Sequence, residues 1–331
     1  MLLPARPAGD TVFAVLRSSR IGTISAVTGI GQTLLITFLG NRMPPNFDGS
    51  EKQATQLRKV AWVRLRRLLV WLLLFGIFLR YACTWVSALS GASLFSVGAT
   101  GFTVLFAAFS ILHAGDVLGW RRALLFLLVC VAVSWGFESV GVATGAVYGD
   151  YHYGKALGAK IAGVPLIIPL AWFMMVYASW IVAHVLLEGA STPSSVNGAL
   201  ARALIASTAM TAWDAVMDPG KAKSGAWIWE KGGPYFGVPF QNFVGWIATT
   251  GAIYVIVAVA LRFVPPRPQV RSSTRFYTGL PVLAYALVAF DHLLIETIPE
   301  LHIVAAFGIC LVALLAILRL ILVPDAIALP D

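Results

Sequence analysis

Charge is scarce in this chain. Of its 331 residues only 12% are Asp, Glu, Lys or Arg while 59% are hydrophobic, and the mean hydropathy is +0.82. A soluble domain carries about 25% charged residues. A water-soluble globule, a disordered chain and a nucleic-acid-binding domain are therefore excluded, whatever a pI of about 9.7 suggests. Cysteine is also sparse: Cys83, Cys130 and Cys310 sit in apolar runs with neither a pairing pattern nor C-x-x-C spacing. That excludes a disulfide scaffold and a thiolate metal site. No G-x-G-x-x-G follows a strand, no histidines cluster in boxes, and no Walker sequence or G-x-S-x-G elbow is present. These gaps argue against flavin or nicotinamide enzymes, membrane di-iron oxygenases, P-loop NTPases and serine hydrolases. The first twenty residues contain Arg6, Arg17 and Arg20 but no apolar run of signal-peptide length, so no cleaved export signal is expected.

Long apolar runs are what the chain does have. A bilayer span needs roughly 20 mostly apolar residues. Runs at 66–90, 93–113, 120–141, 164–188, 196–217, 237–263, 277–296 and 298–319 predict eight spans of an all-α polytopic membrane bundle. A ninth candidate at 21–40 is diluted by glycine and threonine, and either spans or lies at the interface. Residues 1–65 read as a basic N-terminal segment and 66–331 as the transmembrane catalytic domain. Arginines and lysines gather before the first span, between the second and third at Arg121 and Arg122, near Arg202, and between the sixth and seventh at Arg262, Arg267, Arg271 and Arg275. By the positive-inside rule that face is cytoplasmic.

The acids separate to the other face. Spans three, five and seven run away from the basic side and end in Glu138, in Asp214 with Asp218, and in Asp291 with Glu296. An ionisable side chain inside a span costs about 2.5–3.5 kcal/mol or more at mid-bilayer, so it faces a cavity or a partner. Two of these segments match. Glu138 is followed at +11 by Gly149, at +13 and +15 by Tyr151 and Tyr153, then by Gly163-Val164-Pro165 and by Trp172 seven past the proline. Asp214 is followed at +11 by Gly225, at +13 and +15 by Trp227 and Trp229, then by Gly237-Val238-Pro239 and Trp246 at the same seven-residue distance. The pattern reads as an internal duplication, 120–188 and 196–263, arranged as a parallel repeat with a site between the copies.

Within each copy the aromatic pair either marks the interface or lines an apolar pocket, where rings stabilise a developing cation by about 0.5–2 kcal/mol each. Proline after Gly-Val suits a helix's first turn. Gly141, Gly145 and Gly149 suggest close helix packing. Arg80 lies roughly 20 Å along its span and is a candidate counter-charge for one of the acids. His113, Asp116 and His184 fall near the basic face, away from the acidic cluster. The turn from Asp291 and His292 to His302 is the one place a metal could bind, though its spacing fits no ligand motif. The chemistry left is proton transfer by carboxylates in an aromatic, apolar setting, without metal or redox cofactor.

At Phe137-Glu138, Gly141, Thr144-Gly145, Tyr148-Gly149, Tyr151, Tyr153 and Gly163-Val164-Pro165 the chain resembles the membrane carotenoid-biosynthesis family that contains the CruF-type carotenoid hydratases. The second copy carries the resemblance at Trp213-Asp214, Asp218-Pro219, Trp227, Trp229, Tyr235 to Pro239, Asn242 and Gly245-Trp246, and the whole covers roughly residues 110–300. It implies addition of water to the terminal double bond of an acyclic carotenoid end group, giving a tertiary alcohol. The substrate would be similar to lycopene, γ-carotene or a C50 bacterioruberin precursor, with other carotenoid-pathway enzymes as partners. Protonating such an alkene gives a tertiary carbocation, which calls for a carboxyl kept protonated by a dry site and a second group to steady the cation or orient water. Glu138 and Asp214 are the expected pair, with Asp218 supporting. Desolvation leans toward Glu138 as the acid and Asp214 as the base. Tyr151, Tyr153, Trp227 and Trp229 would shield the cation, and Tyr148, Trp213, Tyr235, Asn242, Trp246 and Arg80 would complete the substrate site.

Two other classes fit parts of the pattern. Asp214-x-x-x-Asp218 looks like half of a membrane prenyltransferase's Mg²⁺ motif, but the first copy has Val142 where a second acid would stand. Duplicated halves and intramembrane acids also suit a transporter or proton channel, although these acids sit near one face.

Overall fold

Eight helices carry the apolar runs among the residues that the computed structural model describes, namely 51–94, 97–188, 195–265, 274–323, 327 and 329. They are α1 (Glu51–Ser90), α2 (Ala99–Val117), α3 (Trp120–Thr144), α4 (Ile168–Leu186), α5 (Val196–Lys223), α6 (Phe240–Ala260), α7 (Leu280–Ile295) and α8 (Pro299–Leu322). A single helical turn, Arg275–Thr278, precedes α7, and α8 passes through a π-helical stretch at Ala305–Cys310. The candidate helix at 21–40 lies outside the described residues. The chain divides into Met1–Gln56 and Leu57–Asp331, and the second unit holds α2 to α8 and most of α1.

Six of the helices are long and apolar enough to cross a membrane. This is an all-α polytopic membrane protein. Its outer surface fits that solvent: Leu72, Phe75, Phe78 and Leu79 of α1 are all exposed, a density of bare apolar groups that water would not tolerate. Two helices fall short of the six for identifiable reasons. α5 carries Asp214, Asp218, Lys221 and Lys223, and α7 is only 16 residues long. α4 is the central element, buried continuously from Trp172 to Val185. α1 extends 15 residues further back than the apolar run predicts, because the polar stretch from Glu51 to Leu65 is itself helical.

Two short sheets sit between the helices. β1 (Tyr151–Tyr153) pairs antiparallel with β4 (Trp227–Trp229), placing Tyr151 opposite Trp229, His152 opposite Ile228 and Tyr153 opposite Trp227. β2 (Lys160–Ile161) and β3 (Val164–Pro165) form a separate hairpin. That hairpin corrects the expected role of Pro165, which ends a strand three residues before α4. The proline in the first turn of α4 is Pro169, while Pro239 stands at the N-cap of α6.

The glycine series also does something other than pack helices together. Gly145 ends α3 in a left-handed conformation at φ +68°, as helix C-termini often require. Gly141 makes room for a ring, since a Cβ there would lie 2.8 Å from Tyr148. From the other side, a Cβ at Gly245 would come within 2.5 Å of the Val147 carbonyl and 2.6 Å of Tyr148.

Candidate active site

The geometry around Glu138 starts from strand alternation. Successive side chains of a strand point to opposite faces, so β1 turns Tyr151 and Tyr153 inward and His152 outward, where it meets Glu230 at 2.6 Å. Both inward phenols donate to Glu138 Oε2, Tyr153 at 2.7 Å. The other oxygen, Oε1, accepts from Trp172 Nε1 at 2.9 Å. Glu138 is only 4% exposed. A carboxylate with three converging donors is well provided for as an anion, since hydrogen bonds to a charged acceptor are roughly twice as strong as neutral ones. Burial first, and the negative charge of Glu138 second, push both Tyr151 and Tyr153 well above the ordinary phenol range. They remain donors.

A second carboxyl group arrangement lies on α5. Asp214 and Asp218 are one helical turn apart, both buried, and both accept from the single amide nitrogen Nδ2 of Asn242, at 2.9 and 2.7 Å. Each keeps its Oδ1 buried without a donor, and the two carboxyls interact directly. Two acceptor-only groups in contact repel. A proton shared between close carboxyls relieves such repulsion.

Both arrangements meet at one cavity of about 670 Å³. Glu138 and Asp218 line it, together with Tyr148, Tyr151, Tyr153, Trp172, Trp213, Trp227, Trp229, Asn242 and Trp246. Tyr148 is wedged between Gly141 and Gly245, its hydroxyl 2.7 Å from Thr249 Oγ1. Because Thr249 donates to the Gly245 carbonyl, it is Tyr148 that donates to Thr249. Trp229 in turn donates to the Tyr148 carbonyl at 2.9 Å. The β1–β4 ribbon therefore forms an aromatic wall held by the ends of α3 and α6.

Two expected site residues stand elsewhere. Asp214, fully buried, does not line the cavity and reaches it only through Asp218 and Asn242. Tyr235 does not line it either. Its hydroxyl donates to the Ala215 carbonyl and its ring packs edge-on against Phe243. Trp172, which the sequence marked only as a repeat position, turns out to hold Glu138. Arg80 does line the cavity, 3.8 Å from Asp291, which lines it too. At the α7–α8 turn, Glu296 accepts from the backbone of Thr297 and Ile298, and His302 faces the Leu293 carbonyl. Among the described residues no three His, Cys, Asp or Glu side chains gather as a metal site needs.

The basic end of the bundle holds a separate network. His113 is bracketed by the Tyr177 hydroxyl and the Tyr277 carbonyl, each at 2.8 Å, while Asp116 receives Arg66 and the Tyr277 hydroxyl. It staples α1, α2 and α4 away from the cavity.

No solved structure matches this chain. Over 140 residues, 41% of its length, it is 36% identical to the bisanhydrobacterioruberin hydratase of Haloarcula japonica, and it spans about 45% of that relative. Residues 98–315 match the family described as carotenoid biosynthesis protein, a stretch that includes Glu138, Asp214, Asp218 and the whole aromatic wall. Matched over more than half of its length, the chain belongs to the carotenoid biosynthesis protein family.

Proposed function

We propose that this chain hydrates the terminal carbon–carbon double bond of an acyclic carotenoid end group, leaving a tertiary alcohol. The observation that carries the reading is that Glu138, buried and held by three donors, faces the same aromatic-walled cavity as Asp218. The relative from Haloarcula japonica is by name a hydratase of a bacterioruberin precursor. A C50 precursor of that kind, lycopene and γ-carotene are the substrates to try first.

The geometry favours a division of labour opposite to the one desolvation alone suggested. The Asp214–Asp218 pair holds the proton, and Asp218, on the cavity wall, delivers it. The π electrons form the new C–H bond at the less substituted carbon and the charge falls on the dimethyl carbon. The carboxylate of Glu138 and the faces of the surrounding rings steady that cation. Water then forms the C–O bond with a lone pair and releases a proton to Glu138. Exchange with solvent returns the proton to the aspartate pair. No electron leaves the system, so the chemistry calls for neither oxidant nor reductant.

The apolar substrate reaches the cavity from the bilayer, and neighbouring enzymes of the same pathway would supply it. The basic helix ends are assigned to the cytoplasmic side and the cavity toward the opposite one. Expression in lycopene-making cells tests the function. A carotenoid heavier by one water supports it, and an unchanged pigment profile removes this substrate class.

A further inference from the structure

One corner of the cavity has polar groups that an apolar end group does not use. Arg80 of α1 and Asp291 of α7 both line it. The Arg80 guanidinium lies 4.7 Å over the Tyr81 ring and 4.8 Å over Phe102, so its position is fixed by two aromatic faces. Asp291 is fixed as well, because its Oδ1 accepts from Trp85 Nε1 at 2.9 Å. Between the two charges the approach is loose: Arg80 Nη1 stands 3.8 Å from Asp291 Oδ2.

That separation exceeds a direct hydrogen bond, and a water lodged beside the pair can reach both atoms. A guanidinium has five N–H donors and no acceptor, and among the described residues none of those of Arg80 makes a hydrogen bond to a protein group. Both side chains remain partly exposed, at 23% and 12%. A donor array and a carboxylate oxygen, each held rigidly and set just too far apart to satisfy one another, suit a molecule that accepts from one and donates to the other. Water is such a molecule, and hydration consumes it.

We infer that Arg80 and Asp291 bind the water that adds to the substrate cation. This rests on the hydratase reading. Arg80 donates to the water oxygen, Asp291 accepts a hydrogen bond from one of its O–H groups, and the remaining lone pair is free to form the C–O bond. Protonation of the alkene does not involve this corner, so the two halves of the reaction are separable.

Turnover in deuterated water separates them. A cation that forms and then loses a proton from the same carbon, without capturing water, returns the alkene with deuterium in place of hydrogen. Purified wild-type protein should give hydrated carotenoid and some deuterium in the recovered substrate. Arg80→Gln and Asp291→Asn should each lower hydrated product by about tenfold or more, the loss of a hydrogen bond to a charged group, while deuterium continues to enter recovered substrate at the wild-type rate or faster. Arg80→Lys, which keeps a cationic donor, should recover part of the hydration. If hydration and exchange fall together in all three variants, or if neither falls, the assignment is overturned. A wild-type protein that does neither instead sinks the hydratase reading itself.

Discussion

The indole of Trp172 lies nearly flat against that of Trp246, with ring centroids 4.2 Å apart and 24° between the planes. Each stands seven residues beyond a Gly-Val-Pro, in one of the two matching segments. Only Trp172 also donates to Glu138. Replacing Trp172 by Phe keeps most of the stack but removes that donor, so turnover should fall by about tenfold or more with little change in thermal stability, whereas Trp246→Phe should affect turnover less. Comparing kcat and melting temperature for the two variants checks this asymmetry.

The phenols should behave as a unit. Tyr151→Phe and Tyr153→Phe each remove one donor to Glu138 Oε2. Each should cost about 1.5–3 kcal/mol of transition-state stabilisation, and the double variant less than the sum, because the two share one acceptor. Steady-state kinetics of the three variants gives the coupling directly.

The same phenols set a pH expectation. Their folded-state values lie above the ordinary 10.0, through burial first and Glu138 second. Stability associated with them is fully present below pH 10.0 and declines above it, where an unfolded chain would release these protons and the folded one holds them. Activity should show no alkaline loss from phenol ionisation below about pH 10, and melting temperature should drop beyond it. A loss of activity near pH 9 that Tyr151→Phe abolishes would contradict this.

Space around Tyr148 gives a structural prediction. Gly141→Ala and Gly245→Ala both push a methyl into that ring or its backbone, and overpacking of this kind costs about 1–3 kcal/mol. Gly245→Ala should be the worse of the two, since it meets a carbonyl that cannot rotate away. Thermal unfolding in detergent ranks them.

Chelation separates hydration from diphosphate chemistry. Asp214 and Asp218 are bridged by Asn242 and Glu138 is occupied by three donors, so EDTA should leave turnover unchanged. A loss restored by Mg²⁺ would favour the prenyltransferase class.

Much of this was readable in the sequence for a physical reason. Bilayer thickness dictates span length, so the eight apolar runs mark eight helices, and the cost of intramembrane charge makes Glu138, Asp214 and Asp218 conspicuous. What escaped was set by long-range pairing. Tyr151 faces Trp229 rather than Trp227, a register between three-residue strands far apart in the chain that no local turn announces. Arg80 meets one of the acids, as its place along the span suggested, but which one is settled by a contact across 211 positions, with Asp291. Pro165 has the look of a helix start because Gly-Val-Pro precedes α6 directly, yet the β2–β3 hairpin intervenes before α4. Tyr235 shares the aromatic character of the wall but is drawn away by the Ala215 carbonyl.

The central claim is that water adds across a carotenoid double bond at the Glu138–Asp218 cavity. Purified protein given an acyclic carotenoid in heavy-oxygen water tests it most directly, with Glu138→Gln and Asp218→Asn alongside. Wild-type protein should place one labelled oxygen in a tertiary alcohol. Both variants, accumulating normally in the membrane, should be slower by about 10²–10⁴-fold, the usual contribution of a positioned acid or base. An unlabelled product from the wild type, or labelling by both variants at the wild-type rate, would contradict the account.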